Sequence, residues 1–301
     1  MKHYYLLLDV GGTEIKINAL TQDKALLLEH HVHFPSLSDQ SSEVILDHFR
    51  SIILDFIHRF KHDYHFSGIG FAFPGPFDYL NGVSLMTGLR KYEAIYNVNL
   101  RRRIESWLFD EGYINIPIIF ENDATCFALG EYHQTSDINR GMYITLGTGC
   151  GSSFIADNQV VTSGFGLNSA GMIFDIPFRT GIIDEHLSIN GLKKIALDKN
   201  YPFTNGKALA NNAFSGDTLA RDVFSTFGIC VGEGLASFIA EFQPDEVVFG
   251  GQISQSLDLF KHSMLKEWGT TYPVVRRSLD TTAATLYGLY HIILKNKGDS
   301  L

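Results

Sequence analysis

Two stretches of the chain share one layout: an apolar run, a glycine turn, and a second run in which apolar and polar residues alternate. The first is "YYLLLDVGGTEIKINAL" near the N-terminus; the second, "GMYITLGTGCGSSFIADNQV", follows about 135 residues later. After the first turn, Ile15, Ile17 and Ala19 alternate with Lys16 and Asn18, the period of two of a strand. The glycines therefore join strand to strand. A Walker loop or a dinucleotide fingerprint needs a helix straight after its glycines, so both are excluded. A strand pair recurring at this interval points to two similar α/β halves.

The stretches between fit that plan. Residues 41–61 carry Val44, Ile45, Phe49, Ile52, Ile53, Phe56, Ile57 and Phe60 on one helical face, with Ser41 and Ser42 placed to cap it. "GIGFAFPGPFD" (68–78) is a strand running into a Gly-Pro loop, "NLRRRIESWLFDEG" a helix ending at Gly112, "IPIIFEND" a strand and "ATCFALGEYH" a helix. Helices are expected at 190–198 and 218–242, followed by a strand in "PDEVVFGGQIS" and an apolar helix in "TTAATLYGLYHIILKN". The 301 residues and 45 % apolar content suffice for one large domain or two ordinary ones.

The formal charge of −9 would repel a phosphate backbone, so nucleic acid is not expected as a partner, and Arg101, Arg102 and Arg103 read as a solvated helix face. No apolar run reaches the ~20 residues of a membrane helix, and the N-terminus goes straight into a strand pattern without a secretory segment. The expectation is a cytoplasmic protein without a membrane partner. Cys126, Cys150 and Cys230 are odd in number and widely separated, which fits reduced thiols.

Three glycine turns can be tight turns or anion holders. Glycine lets successive amides converge on a phosphate, and a threonine hydroxyl adds a donor. Gly11-Gly12-Thr13 and Gly147-Thr148-Gly149 have this chemistry, with Asp9 placed to hold Mg²⁺ through water. Gly250-Gly251, after a strand, suits the face of a nucleobase and its ribose. Asn122 and Asp123 stand where a strand ends and a helix begins. Either they cap that helix, or Asp123 accepts the proton of an attacking sugar hydroxyl, kept ionised by the helix end, with Asn122 on the sugar.

These residues resemble the ROK family of bacterial sugar kinases, within the actin-like ATPase superfamily. The matching pieces are "LDVGGTEIKINAL", "GIGFAFPGPFD", "FENDATCFALGE", "YITLGTGCGSSFIADNQV", "GFGLNSAGMIFD" and "PDEVVFGGQIS", in the family's order over nearly the whole chain. The resemblance implies an α/β fold of two ribonuclease-H-like (actin-like ATPase) domains with an interdomain cleft. They would span residues 1–120 and 121–281, with a helix at about 282–297 packing back on the first. It implies an ATP-dependent, glucokinase-like sugar kinase that phosphorylates a hydroxyl, the 6-OH, of a hexose or N-acetylhexosamine. Asp123 would be the general base and Mg²⁺ would lie near Asp9. ATP would be held by Gly11, Gly12, Thr13, Lys16, Thr148, Gly149, Gly250 and Gly251. The sugar would be held by Pro74, Gly75, Asn122 and Asp123. A homodimer is also implied. There is no room before the first strand for the winged helix of the family's repressors, so the chain resembles the kinase branch.

The departures are specific. Where many members carry Ala-Gly-Glu-x-Gly-His, this chain reads "AGMIFD", with Met172 at the glutamate and Asp175 at the histidine. The cysteine-rich zinc motif that should follow reads "IPFRTGIID", so no structural zinc is expected. Asp184 aligns with the motif's final glutamate and can bind a sugar hydroxyl: either the sugar pocket is rebuilt around Asp175 and Asp184, or the usual hexose is not the substrate and both are ordinary surface acids. The alternative reading is a non-catalytic sugar- or nucleotide-binding protein that kept the fold. The aromatic stretch "LRKYEAIYNVNL" supplies either a lid or sugar-stacking rings, or else packs on its own domain. His30, His31, His33, His58, His62 and His65 read as solvated rather than as a metal site.

Overall fold

The computed structural model describes residues 1–89, 91–135 and 138–298; within "LRKYEAIYNVNL", Arg90 lies outside them. The chain divides into two units. One is Met1–Gly130 with the segment from Thr282 onward, and the other is Glu131–Thr281.

The first unit begins with β1 (Lys2–Val10), β2 (Glu14–Thr21), β3 (Val32–Pro35), α1 (Ser42–Phe60) and β4 (Tyr64–Phe73). A small hairpin of β5 (Phe77–Asp78) and β6 (Val83–Ser84) follows, then α2 (Leu100–Asp110), β7 (Ile118–Asn122) and α3 (Asp123–Gln134). Its main sheet has the order β3-β2-β1-β4-β7. β1 pairs antiparallel with β2, while β1, β4 and β7 run parallel. β1 explains the opening apolar run, because both of its faces are covered. Tyr4, Leu6, Leu8 and Val10 pack with Phe49, Ile53 and Ile57 of α1. Tyr5 and Leu7 pack with Leu286, Leu289 and Ile293 of the C-terminal helix Thr281–Lys297. Asp9 shares the odd-numbered face and so looks toward that helix.

The C-terminal helix lies close against α3. A Cβ on Gly130 would strike the carbonyl of Ala284, and one on Gly288 the carbonyl of Cys126. This contact and the β4–β7 ladder hold residues 121–130 to the first unit, so the division falls ten residues later than the sequence suggested. Ser41 caps α1 by accepting from the Val44 amide at 3.4 Å. Arg101 departs from expectation. Its guanidinium donates to the Ile118 carbonyl and lies 5.5 Å over the Phe120 ring. The long side chain buries its stem and finds acceptors at β7, while Arg102 and Arg103 are exposed.

The second unit repeats the sheet. β8 (Arg140–Leu146), β9 (Cys150–Ala156) and β10 (Gln159–Val160) lead into a loop with β11 (Pro177–Phe178) and β12 (Gly181–Ile182). Helices α4 (Ile183–His186), α5 (Ile189–Asp198), α6 (Gly206–Phe214) and α7 (Thr218–Phe242) precede β13 (Glu246–Gly250), α8 (Leu257–Glu267) and β14 (Val274–Arg277). The order β10-β9-β8-β13-β14 is that of the first unit, with the same alternation of antiparallel and parallel pairs. Met142, Ile144, Leu146, Val247 and Phe249 face Val223, Phe227 and Val231 of α7. By length and composition α7 could cross a membrane, which corrects the reading that no segment reaches that size; Glu233 interrupts the apolar run and hid it. In the fold, α7 is the central core helix of this unit.

Candidate active site

Because β1, β4 and β7 run parallel, their C-terminal ends meet at one edge of the first sheet, the edge where open α/β sheets bind ligands. β1 delivers Asp9 and Gly11-Gly12-Thr13, β4 delivers Pro74 and Gly75, and β7 delivers Asn122 with Asp123 opening α3. Lys16 stands opposite Asp9 in the β1–β2 ladder. Residues up to 114 positions apart in sequence are thus brought to one sheet edge by the strand order.

The glycine turn has its carbonyls tied down. The Tyr92 hydroxyl donates to the Gly11 carbonyl at 3.1 Å. The hydroxyls of Ser36 and Ser38 donate to the Gly12 carbonyl at 2.7 and 2.5 Å. In a planar trans peptide the C=O and the following N–H point in opposite directions. The amides of Gly12 and Thr13 are therefore turned away from Tyr92, Ser36 and Ser38. Two adjacent donors turned to one side make an anion-binding concavity.

Two carboxylates flank this turn. Burial pushes the Asp9 carboxyl above its ordinary range. Lys16, 3.6 Å away, pulls it down, while the like charge of Asp123 pushes it up again. Thr282 donates to Asp9 at 3.5 Å. Burial also raises Asp123, opposed by the Lys91 ammonium and by the Ala124 amide, which donates to Asp123 Oδ1 at 3.0 Å. Two recessed carboxylates, one of which raises the proton affinity of the other, make a place where a cation is favoured.

Asn122 is a helix cap. Its Oδ1 accepts from the amides of Ala124 and Thr125 at 2.9 and 3.1 Å, and its Nδ2 donates to the Tyr79 hydroxyl at 3.3 Å. Tyr79 in turn donates to the Phe73 carbonyl at 3.0 Å, which ties the Pro74-Gly75 loop to Asn122. Tyr92 is fully buried among Phe49 and Phe73, so of the two readings of its stretch, packing on its own domain holds for this ring.

The second unit presents its glycines at the corresponding edge. β8 ends before Gly147-Thr148-Gly149, and the parallel β13 ends at Gly250. The Ile189 amide donates to the Gly147 carbonyl at 2.9 Å, which turns the Thr148 amide the other way. Gly251 has φ +83°, and a Cβ there would collide with the carbonyl of Leu146, so only glycine brings this turn onto the end of β8. Its amide donates to Thr281 Oγ1 at 3.1 Å and its carbonyl accepts from Ser254 Oγ at 2.7 Å.

Asp184 and Asp175 differ in setting. Asp184 Oδ1 accepts from the Cys150 amide at 2.6 Å and lies 2.6 Å from where a Cβ of Gly149 would be. Asp175 is exposed and accepts from Asn168 Nδ2 at 2.6 Å; Asn168 Oδ1 accepts from the half-buried Met172's amide at 2.9 Å. The three cysteines are free and buried, and burial pushes the Cys230 thiol up to about 11. Among the described residues, no group of three or more His, Cys, Asp and Glu is arranged around a metal. His33 pairs with Glu14 and His58 with Glu111, both at the surface.

Sequence reasoning missed Ser36, Ser38, Tyr79, Tyr92 and Lys91. The serines and Tyr92 act on backbone atoms far along the chain, and Tyr79 accepts from the distant Asn122 side chain; no local pattern exists for either. Lys91 did carry a signal, a cation inside an aromatic stretch without periodicity, where function often sits.

The ROK family model matches residues 5–284. A beta-glucoside kinase of Klebsiella pneumoniae is 24 % identical over 81 % of this chain and 80 % of its own length. A xylose repressor of Bacillus spizizenii is 23 % identical over 97 % of this chain and 77 % of its own length. The crystal structure of a ROK family glucokinase from Streptomyces griseus, in complex with glucose and AMPPNP, superposes with a TM-score of 0.72. It is 20 % identical and covers 96 % of this chain and 98 % of its own.

Proposed function

The chain belongs to the ROK family, and from that premise we propose that it is a sugar kinase transferring the terminal phosphoryl group of ATP to a sugar hydroxyl. The observation that carries this reading is the conjunction at one sheet edge of outward-turned amides at Gly12 and Thr13 with the recessed carboxylate of Asp123. Amides that need no reorganisation are suited to the charge that spreads over a phosphoryl group in flight.

In this mechanism the amides of Gly12 and Thr13 hold phosphoryl oxygens, while the Gly11 amide, which donates to the Glu14 carbonyl at 2.9 Å, shapes the turn; Thr148, Gly149, Gly250 and Gly251 hold the rest of the nucleotide. Asp123 orients the sugar hydroxyl and takes its proton. Its raised proton affinity brings it closer to the pH at which a base works best. Asn122 keeps Asp123 at the start of α3 by capping the helix and reaches Tyr79, which supports the Pro74-Gly75 loop on the sugar side. Asp9, with Lys16 beside it, suits a magnesium ion carried by the nucleotide phosphates and held through water, and that ion would neutralise developing charge. The acceptor is a hexose or N-acetylhexosamine phosphorylated at its 6-OH, with Asp175 and Asp184 as further sugar ligands in a homodimeric enzyme.

A second reading, a sugar- or nucleotide-binding protein without turnover, is favoured by Met172 in place of a carboxylate and by the hold of the Cys150 amide on Asp184. One assay separates the two: ADP release from Mg·ATP against glucose, mannose, fructose, allose, glucosamine, N-acetylglucosamine and N-acetylmannosamine. The kinase reading expects sugar-dependent turnover that falls by about 10²- to 10⁴-fold in Asp123→Asn. Near-normal turnover in that variant removes Asp123 as the base, and no turnover with any sugar favours the binding protein.

A further inference from the structure

Lys91 lies against the glycine turn. The position a Cβ of Gly12 would take is 3.1 Å from Lys91 Cδ and 3.8 Å from its Cβ. The next residue, Tyr92, is fixed at both ends. Its amide donates to the Ser38 carbonyl at 2.6 Å and its hydroxyl to the Gly11 carbonyl at 3.1 Å. Ser38 also holds the Gly12 carbonyl, so the lysine and the turn share one scaffold. Tyr92 takes the left-handed conformation at φ 55°, a backbone state that tyrosine rarely adopts and that here redirects the chain directly after Lys91. The ammonium lies close enough to Asp123 to oppose the effect of burial on that carboxyl.

Resting on the kinase reading above, we infer that Lys91 is a further catalytic residue of this chain, whose ammonium contacts the terminal phosphoryl group beside the Gly12 and Thr13 amides. The amides supply fixed dipoles on one side of the anion, and Lys91 adds a full charge held against the same turn. In the transfer, the sugar oxygen bonds to the γ-phosphorus as the bond from that phosphorus to the β,γ-bridging oxygen breaks. The hydroxyl proton passes to Asp123, and ADP leaves with the electron pair. Lys91 stabilises the transferring group's oxygens and, through the same charge, favours the ionised form of Asp123 that must accept the proton.

Calorimetric titration of the full-length protein with Mg·AMPPNP and with Mg·ADP tests this directly. Lys91→Met is expected to weaken Mg·AMPPNP binding about ten-fold or more while Mg·ADP stays within about two-fold, because ADP lacks the phosphate that Lys91 touches. Lys91→Arg, which keeps the charge, recovers most of the loss. Thermal midpoints of both variants are measured alongside, and should Lys91→Met fail to fold, Lys91→Gln takes its place. Equal weakening of both nucleotides overturns the inference, since it makes Lys91 a support of the turn alone. Unchanged binding of both, in a protein whose wild type binds them, also overturns it while the kinase reading stands. A wild-type protein that binds neither nucleotide overturns the kinase reading and this inference with it.

Discussion

Replacing Arg276 by methionine removes the cation from a buried cluster in the second unit. The guanidinium donates to Glu131 Oε2 at 2.6 Å, to Glu246 Oε2 at 2.9 Å and Oε1 at 3.3 Å, and to Thr135 Oγ1 at 3.1 Å. Glu246 is 2 % exposed, and the Tyr143 hydroxyl also donates to it at 3.1 Å. Methionine fills much of the volume, so packing changes little and the loss is electrostatic. Two carboxylates are left with like charges and too few donors. Breaking a buried pair by removing one partner costs about 3–5 kcal/mol. For a unit of this size each kcal/mol lowers the midpoint by about 2–4 °C, which gives a fall of about 6–20 °C. Differential scanning calorimetry at pH 7 reads this in the transition of the second unit. The triple variant Arg276→Met, Glu131→Gln, Glu246→Gln should recover most of the fall, because its carboxamides carry no uncompensated charge. A fall below about 2 °C in Arg276→Met, or a triple variant no better than the single one, would refute the reasoning.

Two further outcomes follow from the packing and charge of the first unit. Gly288→Ala drives a methyl into the carbonyl of Cys126, so α3 and the C-terminal helix must separate; a loss of about 1–3 kcal/mol is expected by urea titration, and wild-type stability would contradict the close crossing. Asp123→Asn should be more thermostable than wild type at pH 7 although it is expected to be inactive. Burial raises the Asp123 carboxyl in the folded chain, so above its ordinary value of 3.8 the folded state binds more protons than the unfolded one. Stability therefore falls as pH rises through that window, and the penalty is fully present above it. The gain in midpoint should shrink as pH is lowered toward 4, and a gain independent of pH would disprove the charge as its cause.

Much of this fold is written in local pattern. The unbroken apolar run of β1 announces a strand covered on both faces, the period-two stretch after Gly12 announces its hairpin partner, and the spacing from Ile45 to Phe60 announces α1. Such features depend on neighbours within a few residues, so the amino-acid order determines them alone. It also marked Asp9, the glycine turns and Asn122-Asp123, because residue types suited to anions and hydroxyls stand at strand ends.

The rest belongs to pairings across long intervals. That the turn shows the amides of Gly12 and Thr13 rather than its carbonyls is decided by Tyr92 on the Gly11 carbonyl and by Ser36 and Ser38 on the Gly12 carbonyl, and that Lys91 lies on the turn is decided by the anchoring of Tyr92 to Gly11, 81 residues away. Arg276 meets Glu131 across 145 residues, and Asp184 meets the Cys150 amide across 34. A side chain's hydrogen-bond partner is chosen by which backbone atoms the sheet order brings within about 3 Å, and no periodicity along the chain encodes that distance. The sequence by itself determined which elements form and which residues are chemically equipped. Only the tertiary structure decided which way their polar atoms point, since direction is settled by contacts that exist once the strands have paired.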